Sequence, residues 1–392
     1  RRRLSPRRRP ASIGGMARFK QGLDINQGLL LPPSLQDWLP EDHLAWFIRD
    51  AVQSLDVDGL LDSYRSCGKG ELPYDPRMML RVLIYAYSTG TFSSRKIARQ
   101  LEENVAYRVL AENQMPKHRT IARFRQVHLE EFSGLFVQVV RLAIESGLAK
   151  VGTLAIDGSK VKANASKHKA MSYDRMNKEE ERLKKEIRAI AKMAAAEDDA
   201  EDVEFGEDFR GDELPDELAR RESRLKTIQE AKEQSFNAQI AVDGTSQLIV
   251  ATKVNNCASD TPELIPMVES AMANTEQSVD RVLADAGYRS EPNFEELENA
   301  GIDGYVPIGR KNGAAAVADD LPATKRMQRK LRTKRGRSRY RERKHLVESP
   351  FGWVKNVLGF REFSLRGMRK VQGEWDLVCL ALNLRRMKGM TT

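Results

Sequence analysis

Three carboxylates stand where the chain could do chemistry. Asp157 closes the apolar run Leu154-Ala155-Ile156 and is followed by Gly158-Ser159-Lys160. Asp285 closes Val282-Leu283-Ala284 and is followed by Ala286-Gly287-Tyr288. Glu348 sits beside Val347 and just before Phe351-Gly352, in a helical pattern. An acid at the end of an apolar strand is expensive to bury without a partner. Strand-end carboxylates that converge with a third acid from a helix make an all-oxygen site suited to Mg²⁺ or Mn²⁺. Two such ions ~4 Å apart activate a nucleophile and stabilise the leaving oxygen of a phosphodiester. The plainer alternative is that each Asp is only a turn or capping residue, a common role for Asp before Gly. Lys344, Glu348 and Lys355 are spaced by four and seven, near one helix face, and Arg341 lies seven before Glu348. A cationic face beside a metal-binding acid suits a polyanion crossing it.

The elements that must position these residues divide the chain. Met16–Leu148 reads mostly helical. Asp42 is placed to cap a helix running to Leu55, and Asp75-Pro76 opens another, with Pro in its first turn. Ser93–Leu101, a helix around Val105–Leu110 and a third from Thr120 as cap resemble a helix-turn-helix that would present Arg123 and Arg125 to DNA. An ordinary helical bundle with a solvated basic face explains the same residues equally well. From Val151 the pattern changes to five strands interleaved with helices, the first three in a meander with Asp243-Gly244 as a hairpin turn. The C-terminus returns to helix over about 340–357, bent at Pro350, and again over 371–387.

Charge is unevenly spread. The net charge is +9 in 392 residues, and the six arginines among residues 1–9 supply much of it. Residues 1–15 read as a basic leader or tag. Glu197–Glu217 holds twelve acids and one base, an acidic linker between two charged helical runs in an insertion at about 166–235. Lys325–Lys344 holds twelve bases and one acid and reads as a basic loop, over about 311–339, that orders on binding phosphates. The three cysteines make neither a zinc pattern nor a disulfide framework, so they read as reduced thiols of a cytoplasmic protein. No apolar run approaches a membrane span, and no Gly-Lys-Ser/Thr phosphate loop points to a nucleotide cofactor.

Taken together, these motifs resemble the bacterial insertion-sequence transposases with a DDE catalytic domain. Leu154–Ser159 resembles the strand carrying the first Asp, and Leu283–Tyr288 the motif of the second. Tyr340, Arg343, Glu348 and Lys355 resemble the family's Tyr-Arg-Glu-Lys signature. Its commoner form has Tyr seven and Arg four residues before the Glu. Here they stand eight and five before it, and Lys344 takes the four-before place. The resemblance implies an all-α DNA-binding domain over 16–150. Residues 151–392 would then form an α/β, RNase H-like domain with a mixed five-stranded sheet. Asp157, Asp285 and Glu348 would bind metal and catalyse. Tyr340, Arg343, Lys344, Lys355, Arg123 and Arg125 would contact DNA. The implied cofactor is Mg²⁺, with Mn²⁺ substituting. The implied partners are double-stranded inverted-repeat ends and target DNA, held by a homodimer on DNA in the cytoplasm, associated with the nucleoid. A DNA-binding repressor or inactive relic, and a stand-alone nuclease, are the alternative readings.

Overall fold

The computed structural model describes residues 34–62, 64, 73–163, 179, 181–186, 235–257, 259–309 and 321–391. The basic leader, the acidic segment and nearly all of the charged insertion lie outside the described residues.

The N-terminal part is helical: α1 (Leu44–Ser54), α2 (Asp58–Asp62), α3 (Pro76–Ser88), α4 (Ser94–Glu103), α5 (Val105–Leu110), α6 (His118–Val127) and α7 (Leu129–Glu145). Asp75 caps α3 as expected, accepting the Arg77 N–H at 2.8 Å with Pro76 in the first turn. Two other caps differ from expectation. His43, not Asp42, caps α1: its backbone is extended and its ring Nδ1 accepts the Ala45 N–H. Thr120 lies inside α6, which starts two residues earlier behind Lys117 and has no side-chain cap. Ile121 and Phe124 bury one face of α6 and extend the helix back past Thr120.

The sheet holds β1 (Thr153–Lys162), β2 (Ser235–Asp243), β3 (Ile249–Asn255), β4 (Arg281–Leu283) and β5 (Asp303–Tyr305) in the order β3-β2-β1-β4-β5. β1, β2 and β3 are antiparallel neighbours, whereas β4 and β5 run parallel to β1. Helices α8 (Leu264–Thr275) and α9 (Glu291–Asn299) make the crossovers into β4 and β5. Last come α10 (Pro322–Arg332), α11 (Lys334–Gly352) with a π-turn at Trp353–Val357, and α12 (Met368–Met390).

α12 joins the two halves. It packs on α7 and α3 on one side and β3 on the other, and it is buried along most of its length from Val371 to Leu384. Gly373 permits the approach to α7, since a Cβ there would lie 2.4 Å from the Leu129 carbonyl oxygen. Trp375 is fully buried and donates its Nε1–H to the Gln239 carbonyl of β2. One hydrophobic cluster therefore runs from the N-terminal helices through α12 into the sheet.

The described part of the basic segment is not a loop: residues 322–332 and 334–352 are helices, and 311–320 lie outside the described residues. Ala323, Met327 and Leu331, four apart, pack inward from α10. Glu291 accepts the Ala323 and Thr324 N–H groups at 2.6 and 2.8 Å, closing the helix start. Thr333 then caps α11 by accepting from the Gly336 N–H at 2.9 Å. High charge density hid an amphipathic pair from composition-based reading.

Candidate active site at the parallel strand ends

The strand register brings two of the acids together. β1 pairs with β4 from Thr153↔Arg281 to Ala155↔Leu283. Asp157 and Asp285 each lie two residues past the last pair, so they stand level where β4 has ended. β1 itself continues to Lys162 against β2, which makes Asp157 a residue within a strand rather than at its end. Its side chain is reachable because β4 stops short.

Each carboxylate is oriented by the glycine that follows it. Gly158 donates its N–H to Asp157 Oδ1 at 3.0 Å, and Gly287 donates to Asp285 Oδ1 at 2.7 Å. Asp285 thereby caps the short turn Ala286–Tyr288. The candidate site acid is therefore also a turn cap.

Arg343 of α11 spans the pair. Its Nη2 lies 3.6 Å from Asp157 Oδ1 and 3.6 Å from Asp285 Oδ2. The Arg343 side chain is 15% exposed, and Asp157 and Asp285 are 20% and 38% exposed. Burial pushes the Asp157 carboxyl up to about 6, against the pull of Arg343 and with help from the nearby Asp285 and Asp260 charges. Tyr340, one turn before Arg343, is half-buried beside the same groups, and desolvation raises its hydroxyl pKa.

Lys355 reaches the far end of the site. Its Nζ donates to Ser159 Oγ and, at 3.2 Å, to the Lys160 carbonyl. Burial lowers its pKa, and Asp157 opposes that shift. Pro350 lies inside α11, which continues to Gly352, and the π-turn that carries Lys355 begins directly after it.

Other expected residues are not gathered here. Glu348 is exposed on α11: Val347, Pro350 and Phe351 turn inward and leave the Glu on the flank. Among the described residues no three Asp, Glu, His or Cys side chains come close enough to cage an ion. Lys344 and Arg123 are exposed. Arg125 does not present itself to solvent at all. It is 6% exposed and donates from Nη1 to Tyr87 Oη at 2.9 Å and the Phe92 carbonyl at 2.8 Å. It faces inward with Phe124 and Ile121, toward the Glu374 charge, and is a structural cation rather than a reader of DNA.

One residue near the site was not legible beforehand. Asp260, between β3 and α8, lies against Gly158 and Gly287 and is held by Asn237 and Gln239 of β2. The only sequence signal was two amides alternating in an apolar strand, which demand a polar partner.

Two stretches of the chain match known family models. Residues 33–127 match the transposase domain DUF772, and residues 199–384 match the transposase DDE domain. The chain carries a transposase DDE domain. The DDE match begins after β1 and leaves Asp157 outside it; the strand register alone sets Asp157 level with Asp285. The five-stranded mixed sheet is the RNase H-like fold of this family. No match was found among curated proteins or among solved structures. No described helix of the transposase is long and apolar enough to cross a membrane.

The family implies a divalent cation, and the residues present fit one. Two level carboxylates supply oxygen donors alone, with Arg343 between them. A hard ion that keeps several waters needs no more than one or two carboxylates from the protein.

Proposed function

We propose that the transposase binds the inverted-repeat ends of an insertion sequence, cuts them and joins their 3′-hydroxyls to target DNA. The observation that carries this reading is the level Asp157–Asp285 pair beneath Arg343, on a helix whose outer face is lysine and arginine. Asp157 and Asp285 are assigned to hold Mg²⁺, with Mn²⁺ as a substitute. When bound, the ion supplies an activated oxygen nucleophile and charge stabilisation at the scissile phosphate. Glu348 is assigned as the third acid from its place on α11, five residues past Arg343.

The remaining roles follow from charge and position. Lys355, drawn to Ser159 and desolvated, is placed to hold a phosphate of the cleaved strand. Tyr340 and Arg343 flank the acids and would orient the same strand. Lys344 and the exposed bases of α10 and α11 would follow the flanking duplex, and Arg123 on α6 would serve end recognition. Handling two element ends at once calls for two copies of the chain on DNA.

The test is cleavage of a labelled repeat end in Mg²⁺, Mn²⁺ and Ca²⁺. Mg²⁺ and Mn²⁺ should support cutting, and Ca²⁺ binding without efficient cutting. Asp157→Asn, Asp285→Asn and Glu348→Gln should each lose nearly all activity, because the acids act as a unit. Full activity in Glu348→Gln removes that residue from the site. Cutting in the presence of a chelator overturns the whole reading.

A further inference from the structure

A third carboxylate lies behind the Asp157–Asp285 pair and has no role in the roles assigned so far. Asp260 Oδ1 accepts from Asn237 Nδ2 at 2.5 Å and from Gln239 Nε2 at 2.7 Å. Asn237 and Gln239 are two apart on β2, hence on one face, and are 1% and 0% exposed. The other end of Gln239 is occupied as well, since its Oε1 accepts from the buried Tyr288 hydroxyl. With its oxygen facing a donor and its nitrogen facing a carboxylate, the Gln239 amide has one satisfied orientation. Asp260 is the acceptor that this buried pair of amides requires.

The same carboxylate sits against the two glycines that orient the site. A Cβ on Gly158 would lie 2.9 Å from Asp260 Oδ1, and one on Gly287 would lie 3.1 Å from Asp260 Oδ2. These glycines are the ones whose N–H groups hold Asp157 and Asp285. Thr261, the next residue, adds a bond from its hydroxyl to the Gly287 carbonyl at 2.9 Å. The start of the α8 crossover is thus bonded to the Asp285 turn and to β2, and lies against Gly158 of β1.

We propose that Asp260 is a positioning residue: a tethered carboxylate that sets the spacing of Asp157 and Asp285 and adds negative charge behind the cation they bind. This inference rests on the reading of Asp157 and Asp285 as cation ligands. Groups that orient first ligands commonly change metal affinity by ~10–100-fold when removed.

The experiment is a calorimetric titration of the full chain with Mn²⁺ alone, without DNA, beside a thermal melt in chelator. Asp260→Asn keeps an oxygen for both β2 amides and removes the charge. It should bind Mn²⁺ roughly 10-fold more weakly while its melting point stays near wild type. Asn237→Ala loosens one tether and keeps the charge, and it should weaken binding measurably but by less than charge removal. It serves as the deciding variant if Asp260→Asn does not fold. Unchanged Mn²⁺ affinity in either folded variant, with Asp157→Asn abolishing binding, overturns the Asp260 assignment and leaves the cation site standing. Unchanged affinity in Asp157→Asn overturns the cation site itself, and the Asp260 assignment falls with it.

Discussion

Removing the charge of Asp157 should make the metal-free protein more stable at neutral pH, although the residue is assigned to catalysis. The carboxyl is pushed from 3.8 to about 6 in the folded state, mainly by burial. A group with a raised folded pKa favours folding most below its unfolded pKa, and that contribution is lost as pH rises through the folded pKa. The loss here spans about pH 4 to 6. A shift of about two units corresponds to ~3 kcal/mol, and the side chain is only 20% exposed, so solvent screening removes little of it. Asp157→Asn has no proton to lose and keeps a side chain of the same size. Arg343 keeps Asp285 at 3.6 Å in the variant, so its guanidinium is not left without a counter-charge. Denaturant unfolding in chelator should show equal stabilities near pH 4 and a variant more stable by up to ~3 kcal/mol at pH 7.5. Adding Mg²⁺ at pH 7.5 should reverse the order, because only the wild type gains from ion binding. A variant less stable than wild type at pH 7.5 in chelator, or a gap that does not change with pH, refutes the argument.

The two arginines of α6 should separate cleanly. Arg125→Met should lower stability by ~3–5 kcal/mol in a thermal or denaturant melt, because the Glu374 charge loses its buried cation. Arg123→Ala should leave the melt unchanged and weaken repeat-end binding by ~1–3 kcal/mol if the side chain reads a base, as measured by titration against repeat and random DNA. Replacing Lys334, Arg337, Arg341 and Lys344 with Gln should flatten the slope of log affinity against log salt by roughly 3–4. Far-ultraviolet circular dichroism of that variant without DNA should keep its helical signal, because α10 and α11 are held by Ala323, Met327 and the Thr333 cap rather than by DNA. Gly373→Ala should destabilise by ~1–3 kcal/mol or more, by pushing α12 off the Leu129 carbonyl; an unchanged melting point would contradict that close approach.

Some of this protein was settled along the chain itself. The apolar runs ending at Asp157 and Asp285 mark two strands that carry acids, because burial favours Leu, Ile, Val and Ala and tolerates an acid only at the edge of the run. The Asp75-Pro76 start of α3 and the Asp243-Gly244 turn are local, set by backbone geometry within a few residues. What depended on distant partners was decided only in three dimensions. The level placement of Asp157 and Asp285 follows from the β1–β4 register, which joins segments more than a hundred residues apart. Arg125 looked like a DNA contact because its neighbours are basic, but the face it occupies is fixed by Ile121 and Phe124 and by the arrival of α12. The twelve bases of 325–344 masked two helices whose inward residues are few and whose caps are Glu291 and Thr333. Glu348 lies on the flank of α11 because Val347, Pro350 and Phe351 claim the inner face. Asp260 was invisible for the same reason: nothing in Ser259-Asp260-Thr261 records that β2 brings two buried amides to meet it. A helix face or strand register is a short-range pattern; which partner satisfies a buried charge or amide is a property of the packed chain.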